Sequence, residues 1–420
     1  MTFPALPAPL VGPGENRCSP YQWRGLMMDS ARTCHDLESI KKVLHLAHRY
    51  GFNRFHWHLT DDQGWRFEVP GYPRLTTHAA TLPRAEFRNY HSLWEDTLER
   101  SIKDAPGRWK NGYYTDAQIG EVVALADELG IEIIPEVDFP GHMAAAILAY
   151  PEIGRPDHLP LPQGSMREHM YWPAANDLLW PNDAALDLVR AALERVMELF
   201  PGRYLHIGGD ECAYQQWESD PKMVELMRQR GWDHPSQLQA WFMNFGIEII
   251  RSRGRIPVVW DDIRSQLDAD VLVTAWGQDS GLGDLDEYEQ KYVFTDARTL
   301  YLNRVDPEGD PLQKGMDQGI SVDDILRAQW NAPDDPRCIG VESCLWSEFV
   351  LDHQDVMQML MPRLLAVAAR MWRPVPTSNA SGEDVVPCPP QSQTLEESTV
   401  AQLRAAVAAE YEIIKPHLGL

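Results

Sequence analysis

Basic residues, cysteines and long apolar runs are all scarce in this 420-residue chain. Lys and Arg number 38 against 62 Asp and Glu, a formal net charge of -24. A field of that sign repels polyanions, so neither nucleic acid nor an anionic membrane surface is expected as a partner; its main effect is solubility. The six cysteines, Cys18, Cys34, Cys212, Cys338, Cys344 and Cys388, show no C-x-x-C pair and no zinc spacing. Free, largely buried thiols are the expectation, with neither a disulfide framework nor a structural metal. No apolar run is long enough to span a bilayer. Residues 1–20 are rich in Pro and Gly and lack the basic start and apolar core of a secretory leader, which points to the cytoplasm, although a leader already removed would leave the same appearance. Without an export signal, the acceptor pattern Asn379-Ala380-Ser381 reads as chance.

What the chain does contain is an alternation of short apolar, β-branched runs with segments of helical period, the pattern of a parallel sheet with crossover helices. The runs are Arg24 to Asp29, Phe52 to Asp61, Ile131 to Asp138, Tyr204 to Glu211, Ile256 to Asp262, Val271 to Gly277, Tyr292 to Asn303 and Ile339 to Glu348. Eight strands is the number that closes a (β/α)8 TIM barrel. An open doubly wound sheet is the competing architecture, but no Gly-rich phosphate turn follows the first run. Between the first two runs, Leu37, Ile40, Val43, Leu44 and Ala47 share one helical face, with Asp36 placed to cap it. Thr115 and Gln118 have capping-box spacing ahead of Ile119, Val122, Val123, Ala126 and Leu129. Long irregular stretches fall at Thr77 to Asn111 and Pro151 to Asn182, a Pro- and Ser-rich excursion at Pro374 to Gln393, and a last helix from Leu395 to about Lys415. The expected organisation is an N-terminal extension over 1–20 and one catalytic barrel with its C-terminal helix over 21–420. No internal repeat is visible.

In such a barrel the reactive groups sit at the carboxyl ends of the strands. Here those ends carry Asp61 and Asp62, Glu136 and Asp138 with His142 beyond, Asp210 and Glu211, Trp260 with Asp261 and Asp262, Trp276, Tyr301 with Asn303, and Trp346 with Glu348. Aromatic faces stack on the apolar side of a pyranose while carboxylates bind hydroxyls, so the mixture points to carbohydrate. Any single acid among them could equally be ion-paired scaffolding. His56 and His58 share one strand face and could suggest a metal pair, but no third ligand joins them at recognisable spacing, and hydrogen bonding to neighbouring strands is the preferred reading. At Asp210 and Glu211 adjacent strand residues would point to opposite sides; Gly208 and Gly209 allow the kink that lets both acids serve one sugar.

Five segments in order, RGLMMDSAR at Arg24–Arg32, FHWHLTDDQGWR at Phe55–Arg66, IPEVDFPGH at Ile134–His142, HIGGDE at His206–Glu211 and CLWSE at Cys344–Glu348, resemble the motifs of glycoside hydrolase family 20, the β-N-acetylhexosaminidases. The smaller α/β domain that often precedes the barrel in that family is not expected here, since Arg24 falls near the start of the sequence. The resemblance implies substrate-assisted catalysis, in which the 2-acetamido oxygen attacks the anomeric carbon. It implies Glu211 as general acid, Asp210 as acceptor for the acetamide N–H and Tyr301 as donor to the acetamide oxygen. Arg32 and Glu348 would bind ring hydroxyls, Trp260, Trp276 and Trp346 would wall the acetamide pocket, and Asp61, chosen over Asp62, would sit with His142 close to Glu211. Asn303 stands where many members have Asp and would bind a hydroxyl. Arg304 reads as a surface arginine, with contact to an acidic glycan group as the alternative. Thr33-Cys34-His35 departs from the family's usual run and would alter the first loop. The implied partner is a glycan ending in N-acetylhexosamine, with no metal or cofactor and a possible homodimer. Competing readings are a glycosidase with a covalent carboxylate intermediate, a disaccharide-releasing member of the family, and a sugar-binding barrel without turnover.

Overall fold

A computed structural model describes residues 6–82, 110–156, 178–212, 214–262, 267, 270–277, 289–309, 315–316, 319–330, 335–374 and 395–419. Eight parallel strands close into a barrel in chain order: Trp23–Asp29, Arg54–His58, Glu132–Glu136, Tyr204–His206, Ile256–Trp260, Leu272–Ala275, Tyr292–Phe294 and Cys338–Leu345. The last strand pairs with the first, Gly340 against Trp23 through Leu345 against Met28. Each of the eight apolar runs supplies one strand. All ladders but the first are shorter than their runs, most of all the fourth, which ends at His206, and the seventh, which ends at Phe294. Residues beyond the ladder, such as Ile207, Leu300 and Leu302, stay buried because they turn over the barrel mouth.

The helix Leu37–Arg49 starts where Asp36 accepts the Ser39 N–H, and it buries Ile40, Val43, Leu44 and Ala47. Asp116–Glu128 carries the capping box between Thr115 and Gln118; Ile119, Val122 and Ala126 are buried, while Val123 and Leu129 are only partly so. The last helix spans Glu397–Ile414. Its Glu410 is fully buried and accepts from Leu10 N, Arg49 Nη2 and the Tyr50 hydroxyl, at 2.9, 2.9 and 2.8 Å. That carboxylate ties residues ahead of the barrel to the C-terminal helix.

The expectation of free thiols throughout needs correction. Cys34, Cys212, Cys338 and Cys344 are free, but Cys18 is disulfide-bonded, and its partner lies outside the described residues. Spacing could not show this, because the bond joins segments distant in sequence. The core of each irregular stretch, 83–109 and 157–177, and the excursion 375–394 with Asn379 and Cys388, lie outside the described residues.

Candidate active site

The fourth strand delivers the two adjacent acids. After His206 the chain turns through Gly208 (φ 60), Gly209 (φ 92) and Glu211 (φ 51). Glycine is required at 208, since a Cβ there would lie 1.7 Å from Asp138 Oδ1. The same oxygen accepts the Gly209 N–H at 2.9 Å. The kink brings both acids to one imidazole: His142 Nε2 lies 3.6 Å from Asp210 Oδ2 and 3.4 Å from Glu211 Oε2. Asp262 fixes the turn from the fifth strand, its Oδ1 accepting the Glu211 N–H at 2.9 Å and its Oδ2 the Trp276 indole N–H at 3.0 Å. His142 is itself at φ 52, so the two non-glycine residues with left-handed backbone in the described chain face each other. Such backbones persist only where surrounding contacts hold them.

Charge around the turn is graded. Burial pushes the Glu211 carboxyl above the ordinary carboxylate value, against the pull of His142. Burial and the nearby Asp210 push Asp138 and Asp262 well above the ordinary carboxylate value. Asp61 goes the other way. Burial opposes its charge, yet Arg32 Nη2 at 2.8 Å, His142 Nδ1 at 3.3 Å and His58 Nε2 at 2.7 Å hold it ionised. Burial likewise opposes charge on His142, but Asp61 and Asp210 raise it well above the usual imidazole value and make it a cation. Glu348 is pushed up to about 7, by burial first, with Arg32 opposing.

An aromatic cage stands beside the acids. Trp260 and Trp346 lie 5.8 Å apart, Tyr301 lies 6.1 Å from Trp346, and Trp276 stacks on Tyr301 at 6.3 Å and 22°. These rings close one buried cluster with Met27 and Cys344. Arg32 lies over Trp346 at 5.0 Å and is held by Gln63 Oε1 at 2.9 Å and Asp29 Oδ2 at 3.4 Å. Buried polar atoms of the site without a hydrogen-bond partner among the described residues include Asp210 Oδ1, Glu348 Oε2, Asn303 Oδ1, Asp138 Oδ2, His142 Nε2 and Trp346 Nε1. Arg304 is half-buried and donates from Nε to the Ala297 carbonyl at 2.8 Å, rather than standing free on the surface. The departing first loop, Thr33-Cys34-His35, is buried, with the His35 carbonyl accepting the Tyr114 hydroxyl at 2.7 Å.

The structure thus gathers Asp210, Glu211, His142, Asp61, Arg32, Tyr301, Trp260, Trp276 and Trp346 around one mouth. Asp62, passed over in favour of Asp61, is equally close to the imidazole, its Oδ2 lying 3.3 Å from His142 Nδ1. Asp61 reaches Glu211 only through that ring. Asp138, Asp262, Gln63, Asp29 and Glu136 had no assigned role from sequence. The alternation of Glu136 and Asp138 on one strand was the available sign that both point inward. Three sets could bring ligand atoms within 4.8 Å for a cation: His56, Glu136 and His206; Asp61, Asp138 and His142; and His142, Asp210 and Glu211. In the first set, burial opposes charge on His56, but Glu342 and Glu136 raise it to about 9.

The model of glycosyl hydrolase family 20, catalytic domain, matches residues 21–375. A beta-hexosaminidase of Porphyromonas gingivalis is 29% identical over 378 residues, covering 87% of this chain and 45% of the relative. One from Vibrio furnissii is 29% identical over 361 residues, with 83% and 56% covered. The chain spans about half the length of these curated relatives. Among solved structures, the exo beta-N-acetylglucosaminidase of Vibrio harveyi superposes with a TM-score of 0.72 at 24% identity, over 95% of this chain and 59% of that one. The N-acetyl-beta-hexosaminidase of Streptomyces plicatus gives 0.68 at 26%, over 94% and 69%. With the family's catalytic domain matched across most of its length and the same closed barrel, this chain belongs to glycosyl hydrolase family 20.

Proposed function

We propose that the chain is a retaining exo-β-N-acetylhexosaminidase, removing terminal non-reducing N-acetylglucosamine or N-acetylgalactosamine from glycans by substrate assistance through an oxazolinium intermediate. One observation carries this reading: Asp210 and Glu211 leave a single left-handed turn beside the cage of Trp260, Trp276, Tyr301 and Trp346, with a buried Asp210 oxygen unpartnered. The acetamide oxygen of the substrate attacks the anomeric carbon as Glu211 gives its proton to the departing glycosidic oxygen. Glu211 then takes a proton from the water that opens the oxazolinium, and the product keeps the β configuration. The raised Glu211 carboxyl suits this exchange of acid and base roles, typically worth about a hundred- to ten-thousandfold. Asp210 accepts from the acetamide N–H and Tyr301 donates to the acetamide oxygen, so the nucleophile is held in line. Positioning of that kind supplies roughly 7 to 11 kcal/mol of a barrier. Arg32, Glu348 and Asn303 bind ring hydroxyls.

The test is release of p-nitrophenol from its N-acetyl-β-D-glucosaminide and from the plain β-D-glucoside by wild type, Glu211→Gln and Asp210→Asn. Turnover confined to the acetamido substrate and strongly reduced in both variants is expected. Equal turnover of the plain glucoside means a covalent carboxylate mechanism instead. No turnover by folded wild type removes the exo reading, and a glycan panel then separates a disaccharide-releasing enzyme from a binding protein.

A further inference from the structure

The layer beneath the acids is unlike the branched apolar packing that fills most barrels of this kind. Glu136, fully buried, has partners on both oxygens. Oε1 accepts the Trp260 indole N–H at 2.8 Å and faces His206 Nδ1 at 3.0 Å; Oε2 meets His56 Nε2 at 3.0 Å and His58 Nδ1. From there a line of contacts runs upward: His58 Nε2 to Asp61 Oδ2 at 2.7 Å, Asp61 Oδ1 to His142 Nδ1 at 3.3 Å, and His142 Nε2 to Glu211 Oε2 at 3.4 Å. Downward it passes through His56 Nδ1 to Glu342 Oε1 at 2.8 Å and ends where the Trp23 indole donates to Glu342 Oε2 at 2.9 Å. The lower end is sealed by that tryptophan, so the line is a fixed column and not a route to solvent.

Charge alternates along it. His58 is raised to about 10 by Glu136 and Asp61 despite burial, and Glu136 is held well below the usual carboxylate range by His58, His206 and His56 despite its own burial. His56 and His58 each turn both ring nitrogens to carboxylates, whereas His142 bonds a carboxylate only through Nδ1 and its Nε2 lies 3.4 Å from Glu211 Oε2. Buried ion pairs seldom gain stability over apolar packing of the same volume, so stability alone does not account for this column. Its effect is to set Asp61: Oδ2 is pinned by His58 and Arg32, while Oδ1 accepts the Asp62 N–H at 2.7 Å and lies 3.3 Å from His142 Nδ1.

Resting on the assignment of Glu211 as proton donor, we propose that Glu136 is a positioning residue for proton transfer, acting on Glu211 through His58, Asp61 and His142. The test compares Glu136→Gln with wild type on a dinitrophenyl N-acetylglucosaminide, whose leaving group departs without a proton, and on N,N′-diacetylchitobiose, whose leaving group needs one. The expected result is a fall in kcat/KM on the order of ten- to a hundredfold with chitobiose and within about threefold with the dinitrophenyl substrate. Equal losses on both substrates overturn the proposal and leave Glu136 as a prop for Trp260. His58→Gln, whose amide still reaches toward Asp61, is read with the same pair and serves alone if Glu136→Gln does not fold. In the double variant the losses should fall well short of additive, as expected for residues acting in one line. Glu211→Gln is the control. If it lacks the split between substrates, the donor assignment is what has failed, and the proposal falls with it.

Discussion

Replacing Glu348 with Gln should make the protein more stable at alkaline pH while impairing substrate binding. The Glu348 carboxyl is 5% exposed, and burial raises it to about 7. An unfolded glutamate titrates near about 4.3. Because the folded-state value is the higher one, the folded chain binds more protons between these values. The stability from this group is therefore full below about 4.3 and is lost as pH rises through about 7. Between pH ~5 and ~8 the wild type should lose roughly 2 to 3 kcal/mol at this one position. Glutamine has the same shape and does not titrate, so that part of the pH dependence disappears. Denaturant unfolding of both proteins at the two pH values isolates the difference, since all other titrating groups are shared. Parallel pH dependence in wild type and Glu348→Gln would show that the carboxyl is ionised throughout and would falsify the argument. In the same variant KM should rise, and the wild-type fall in KM as Glu348 ionises through about pH 7 should vanish.

Three further perturbations read other parts of the structure. Gly208→Ala forces a Cβ against Asp138 at a left-handed φ, a backbone penalty of about 1–2 kcal/mol, and misplaces both acids. Its kcat should fall on the order of a hundredfold with the circular dichroism unchanged; an alanine variant of full activity removes the argument for that turn. Glu410→Ala leaves Arg49, the Tyr50 hydroxyl and the Leu10 N–H without their buried acceptor and should cost about 2–4 kcal/mol in denaturant unfolding, with kcat intact at low temperature. Asp262→Ala frees both the Glu211 N–H and the Trp276 indole, so kcat should drop and KM rise together. A change in KM alone would assign Asp262 to the cage and not to the turn.

Eight apolar runs with intervening helical faces were enough to read the barrel, because period and strand order are local properties of the chain. The caps at Asp36 and Thr115 were legible for the same reason. The disulfide at Cys18 was not, nor was the shared approach of Asp61 and Asp62 to His142, since both depend on partners brought from elsewhere by folding.

The third strand shows most sharply where sequence reasoning stops. Glu136 and Asp138 are two residues apart, of one chemical type, and point inward together. Burial alone would neutralise both, since it penalises the charged form of either. Glu136 nevertheless meets His56, His58 and His206, from the second and fourth strands, and is held as an anion. Asp138, by contrast, is pushed well above the ordinary carboxylate range by burial and by the charge of Asp210. One carboxyl is thus shifted toward its charged form and its neighbour toward its neutral one. The difference is made entirely by residues some seventy to eighty positions away, which no local pattern around Glu136 and Asp138 encodes.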